Sequence, residues 1–138
     1  MPFKHAAMQK INLLIVEDET IFREGLRALL ERESFVKTIY EAHDKPSFEA
    51  HLLKSIDIVI LDYRLVSTNG LELLAMLKRL QRSPKVIILT GLEGAELVMN
   101  LLQAGVHGIV YKPDGFKEVV KTIRNTMTSG SYFSERIL

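Results

Sequence analysis

Cysteine is absent from this 138-residue chain. That excludes disulfide staples and thiolate metal ligands from any account of how it folds or works, and it suits a reducing compartment. An excess of one charge is missing too. Eighteen lysines and arginines stand against 17 aspartates and glutamates, a formal net charge of +1. Bulk charge therefore points neither to nucleic acid nor to an anionic membrane. No apolar run approaches the roughly 18 residues that crossing a bilayer takes, and Met1–Lys10 lack the apolar centre of a secretory signal. Internal repeats and low-complexity segments are also lacking. The expectation is a soluble, cytoplasmic protein with no membrane partner, whose residues 1–10 form a disordered leader.

What is present is ordinary for a globular domain: 47% of residues are apolar and 25% are charged. The length fits one domain able to bury a real core unaided. Asn12–Val16, Ile56–Leu61 (broken only by Asp57), Val86–Leu89 and Gly108–Tyr111 are short, nearly continuous apolar runs. Such runs read as strands buried on both faces, the pattern of a parallel sheet. Phe35–Tyr40 is more polar and reads as a second strand near a sheet edge.

Helical patterns fill the gaps. Thr20 is expected to cap a helix with the apolar face Ile21, Phe22, Leu26, Leu29 and Leu30. Pro46 opens another, followed by Phe48, Leu52 and Leu53. Leu71, Leu74, Leu77 and Leu80 form a third stripe. Glu93–Ala104 forms a fourth, stopped by Gly105. Phe116, Val119, Val120, Ile123 and Met127 form the fifth. The order is βα five times, which predicts an α/β fold, a doubly wound five-stranded parallel sheet. The domain is expected over residues 11–128. Residues 129–138 read as a C-terminal tail or the start of a linker.

Open α/β sheets bind ligands at the carboxyl ends of their strands. By that rule Glu17-Asp18-Glu19, Asp62, Thr90-Gly91 and Lys112-Pro113 converge on one edge. Clustered carboxylates repel and gain protons unless a cation joins them, and Mg²⁺ takes carboxylate, water and phosphate oxygens. Asp62, fixed at the end of a buried strand, is placed as a nucleophile toward phosphorus. Lys112 can neutralise charge on a moving phosphoryl group, Thr90 can donate to it, and Gly91 leaves room for it. Each residue alone has a plainer role, as a dipole-complementing acid, a turn residue or a solvated lysine. Together, in this order on successive strand ends, the plain roles are improbable.

Over about Lys10–Met127 the sequence resembles the receiver domains of two-component response regulators. Leu13–Glu19, Asp57–Asp62, Asn69–Leu74, Val86–Gly91 and Lys112-Pro113 carry the resemblance. It implies a flavodoxin-like fold and a domain that phosphorylates and dephosphorylates only itself, not a general enzyme. Its implied cofactor is Mg²⁺ or Mn²⁺, held by Glu17, Asp18, Asp62 and the backbone carbonyl of Arg64. Asp62 would be the phosphorylated residue, with Thr90 as the switch hydroxyl and Lys112 as the phosphoryl partner. The implied partner is a sensor histidine kinase, and a homodimer is open to it. Ile21–Leu26 and Ser131–Ser134 look like the NarL/LuxR type, in which a helix-turn-helix domain follows. DNA would then be met only through that output domain, which these residues do not include.

Three positions depart from the family pattern. Glu17 replaces the usual first aspartate. Val66 stands where proline is usual. Ile109 stands where the family has its switch aromatic, so the readout of phosphorylation is expected to differ. Two other readings compete. An aspartyl-phosphate hydrolase would carry a second aspartate two residues after its nucleophile, and here that residue is Arg64. A non-phosphorylated interaction module has only Ile109 in its favour. Lys78, Arg79 and Arg82 form a small basic patch best read as complementing a helix C-terminus.

Overall fold

The structure, a computed structural model, describes residues 9–65 and 69–138. Most of the expected leader, and Val66, lie outside the described residues. Five strands, β1 (Ile11–Val16), β2 (Val36–Ala42), β3 (Ile58–Asp62), β4 (Lys85–Thr90) and β5 (Gly108–Tyr111), alternate with five α-helices. These are α1 (Thr20–Leu30), α2 (Lys45–Glu49), α3 (Gly70–Lys78), α4 (Ala95–Gln103) and α5 (Phe116–Ser129). Every strand pairing is parallel, in the order β2-β1-β3-β4-β5. The doubly wound sheet read from the sequence is the one observed, with the more polar β2 at an edge.

The two-residue period of a strand divides the core in two. Leu13, Ile15, Ile58, Ile60, Ile87, Leu89 and Val110 face one side, where Leu26 and Leu30 of α1 and Val119 and Ile123 of α5 cover them. Leu14, Val16, Val59, Leu61, Val86, Ile88 and Ile109 face the other, against Phe48 of α2, Leu73, Leu74 and Leu77 of α3, and Val98 and Leu101 of α4. Both faces are dry, which explains why these runs lack polar alternation.

Several local expectations are corrected. Thr20 does not cap α1. Glu19 holds the N-cap position without a side-chain bond, because Glu17 Oε2 accepts the Glu19 N–H and sets the turn one residue earlier. Ile21 and Leu29 are not core: they are 89% and 42% exposed. Phe22, Leu26 and Leu30, four apart, form the inward row, and Ile21 and Leu29 lie on the adjacent row, about 100° round the helix. Leu53 is fully exposed because α2 ends at Glu49 and helical spacing no longer applies. α2 itself is held by an Asp44–Ser47 capping box and by Phe48. The third strand begins at Ile58, leaving Ile56 and Asp57 in the preceding loop. α4 begins two residues after Glu93, since Gly94, at φ +140°, takes a backbone turn that other residues rarely adopt. α5 runs on to Ser129 and ends at Gly130 in the left-handed conformation.

The tail is also more than a loose end. The Tyr132 N–H donates to the His107 carbonyl at 2.8 Å, beside β5. Ile137 is buried in the same apolar cluster as Ile109 and Tyr111. Among the described residues, no helix is long and apolar enough to cross a membrane.

Candidate functional site

Strand register assembles the site. Val16 pairs with Leu61, so Glu17 and Asp62 are the next residues on neighbouring strands. Asp62 pairs with Leu89, so Thr90 lies one step beyond it. Thr90 pairs with Tyr111, so Lys112 lies one step beyond that. Glu17 and Asp62 are thus level, and Thr90 and Lys112 each lie one register step further on, along the carboxyl edge of β1, β3, β4 and β5. The sheet order reverses direction between β1 and β3, which is where a doubly wound sheet opens its binding crevice.

Glu17, Asp18 and Asp62 each offer a carboxylate oxygen, all within 4.8 Å of one another. Three hard oxygen donors of this kind fit Mg²⁺ or Mn²⁺. Glu17 and Asp62 are buried and Asp18 is half-buried. Arg64 follows Asp62 through a tight turn, its backbone N–H 3.3 Å from Asp62 Oδ1.

Lys112 reaches into this cluster. Its Nζ lies 2.7 Å from Glu17 Oε1, 3.4 Å from Glu19 Oε1 and 3.6 Å from Asp62 Oδ1. The ammonium also sits 4.6 Å above the Phe22 ring, a cation–π contact that anchors it toward α1. Burial drives the Glu17 carboxyl up to about 7, from an ordinary 4.5. The Lys112 hydrogen bond works against that rise, and neighbouring Asp62 adds to it. Burial works to lower the Lys112 pKa, but its bond to Glu17 and the charges of Asp62, Glu17 and Glu19 outweigh it and hold the pKa above the ordinary lysine value.

Thr90 is engaged with its own loop: its Oγ1 accepts the Leu92 N–H at 2.9 Å. A Cβ added at Gly91 would meet nothing within 4 Å, so the space beside Thr90 is open. Ile109 is buried on the α4 side of β5, packed in the core.

Sequence reasoning missed the support behind the acids. Arg23 of α1 donates from Nη1 to the Glu17 carbonyl at 2.8 Å and from Nε to Glu41 Oε1 at 3.0 Å. Arg27 holds the other Glu41 oxygen at 2.8 Å. The loop bearing Glu17 and Asp18 is therefore tied to the end of β2. Arg23 lies inside the Ile21–Leu26 segment already noted, but only the register of Glu41 with Ile15 shows why it matters.

A doubly wound parallel sheet with three acids, a lysine and a threonine along its carboxyl edge defines an α/β domain with a polar site at its switch point. Residues 13–124 match the family model described as the response regulator receiver domain. The chain belongs to that family, whose members are regulatory domains rather than metabolic enzymes.

Its relatives include the nitrate/nitrite response regulator NarP of Escherichia coli, 30% identical over 91% of this chain and 59% of that protein. Response regulator UvrY of the same species is 29% identical over 92% of this chain and 59% of that protein. The chain thus spans about three fifths of the length of these relatives. Among solved structures it is similar to a LuxR-family two-component response regulator from an Aurantimonas species, with a TM-score of 0.84 at 25% identity, covering 94% of this chain and 93% of that one. The isolated receiver domain of RcsB from Salmonella enterica, solved with a beryllofluoride phosphomimetic, gives 0.84 at 23% identity over 94% of this chain and 99% of that one. That second likeness shows the fold alone. The NarL/LuxR type read from Ile21–Leu26 and Ser131–Ser134 agrees with these relatives.

Proposed function

We propose that this receiver domain takes a phosphoryl group from a sensor histidine kinase onto Asp62 and changes conformation in response. The observation that carries the reading is the register-set meeting of Asp62 with Glu17, Asp18, Thr90 and Lys112. An Asp62 carboxylate oxygen attacks phosphorus in line, an O–P bond forms as the donor's P–N bond breaks, and the electron pair leaves with the imidazole nitrogen. Asp62 suits this role because β3 fixes its backbone and Arg64 N–H steadies Oδ1. Bound through Glu17, Asp18, Asp62 and the Arg64 carbonyl, Mg²⁺ or Mn²⁺ would supply positive charge for the phosphoryl oxygens. Lys112 leaves its contacts with Glu17 and Glu19 to pair with the acyl phosphate, and the Thr90 hydroxyl turns from Leu92 to donate to it. One local charge change thereby biases two arrangements of the loops after β4 and β5.

In the longer relatives' manner, residues 11–128 would be the receiver and residues 129–138 the path toward a helix-turn-helix domain, through which DNA would be contacted and transcription controlled in the cytoplasm. A homodimer fits this arrangement: RcsB, at 22% identity, has been solved as dimers bound to DNA.

The test is labelling by a small phosphodonor such as acetyl phosphate in Mg²⁺. The wild-type chain should take up one phosphoryl group, and Asp62→Asn should take up none. Full labelling of Asp62→Asn would remove Asp62 as acceptor.

A further inference from the structure

The docked tail touches both the loop that follows Thr90 and the turn that follows Tyr111. Arg136 pairs with Glu93, three residues after Thr90, and with Asp114 Oδ1 at 2.7 Å, two residues after Lys112. Its guanidinium lies 5.1 Å from the Tyr111 ring centroid, on the strand between those loops. Behind it Ile137 enters the cluster of Ile109, Val98 and Leu101, and ahead of it Tyr132 is bonded to the backbone of His107. The tail thus straps the edge of β5 and clips the β4–α4 loop to the β5–α5 turn with one side chain.

The clip depends on the loops as they stand. Glu93 lies in a loop held by the Leu92 N–H on Thr90 Oγ1. A Thr90 hydroxyl that donates to a phosphoryl group would give up its bond to the Leu92 carbonyl at 3.4 Å, and a side-chain rotation toward that group would draw Oγ1 away from the Leu92 N–H. The loop, which ends at Gly94 with φ +140°, would then be free to place Glu93 elsewhere. On the other side, Lys112 begins the one-turn 3-10 helix Lys112–Asp114 that carries Asp114. When Lys112 shifts its ammonium from Glu17 and Glu19 to the acyl phosphate, that turn adjusts. Both anchors of Arg136 therefore sit within three residues of a group that reorients.

Building on the receiver reading, we propose that residues 132–138 are a phosphorylation-sensitive strap, docked on the β5 edge while Asp62 is free and released when Asp62 carries a phosphoryl group. The strap supplies a readout that the aromatic switch would otherwise give, since Ile109 has no ring to turn. Coupling is reciprocal: what phosphorylation does to the strap, loss of the strap does to phosphorylation. The size is set by two partly exposed ion pairs and amounts to about threefold to tenfold.

Hydrogen exchange on the full chain with and without beryllofluoride and Mg²⁺ tests this. The Tyr132 and Ile137 amides, bonded to the carbonyls of His107 and Ser134, should exchange about threefold to tenfold faster with the mimic bound, while the amides of Asp62–Arg64 slow. Arg136→Gln and Glu93→Gln, both altering exposed side chains, should each speed the same tail amides without the mimic and tighten beryllofluoride binding by a similar factor. Protection at Asp62–Arg64 with an unchanged or slower tail overturns the strap while leaving the receiver reading intact. Unchanged mimic affinity in both variants does the same. No protection at Asp62–Arg64 in the wild type overturns the receiver reading, and the strap with it.

Discussion

Glu17 carries a cost that an exposed carboxylate would not. It is fully buried, and Lys112 at 2.7 Å is the compensation. With a pKa of about 7 against an ordinary 4.5, the folded protein keeps a proton that the unfolded chain has already lost. Stability is therefore lost as pH rises through that window. Lys112→Met removes the opposing charge, so it should steepen that loss. The melting-temperature gap between wild type and variant should widen from pH 6 to pH 8; a gap independent of pH would show that the pair is not what holds Glu17 ionised.

His107 works in the opposite sense. Its pKa is lowered from 6.5 by burial, with Lys85 and Lys78 adding repulsion, and its Nδ1 accepts the Val86 N–H at 2.9 Å. Stability from this group is present above 6.5 and lost as pH falls below it, because the unfolded chain protonates first. His107→Gln should flatten the acid side of the melting curve against pH. An unchanged acid limb would assign the loss to other groups.

Elements were legible from the sequence to the extent that burial was two-sided. The strands declared themselves because both faces are dry, and the ladder Glu17, Asp62, Thr90, Lys112 followed from where they end. The width of a helical stripe was not legible. Periodicity marks Ile21, Phe22, Leu26, Leu29 and Leu30 as one face, but the sheet and α5 cover only the inward row. Leu30→Ala, at a fully buried position, should cost about 2–5 kcal/mol in denaturant unfolding. Ile21→Ser should stay within about 0.5 kcal/mol. Comparable losses would mean that Ile21 is covered in solution.

At the scale of the whole molecule, the fold brings together what the sequence keeps far apart. Arg136 meets partners 43 and 22 residues away, and Ile137, which shares its cluster with Phe133 four residues earlier, lies in a segment too short for periodicity to announce its burial. The Arg23–Glu41 tie is not legible in the sequence for the same reason: nothing in a single sequence links α1 to the end of β2. The acids, the threonine and the lysine were readable because a parallel sheet delivers its strand ends to one edge. The contacts that steady or report on them depend on tertiary packing.

The most direct measurement of the central claim is chemical trapping of the acceptor. An aspartyl phosphate is an acyl phosphate, which borohydride reduces to an alcohol, turning the aspartate into homoserine. After acetyl phosphate and Mg²⁺, peptide mass mapping should find one homoserine, at position 62, in the wild-type chain. Homoserine at Asp18 or another acid instead of Asp62, or none at all, would contradict the account.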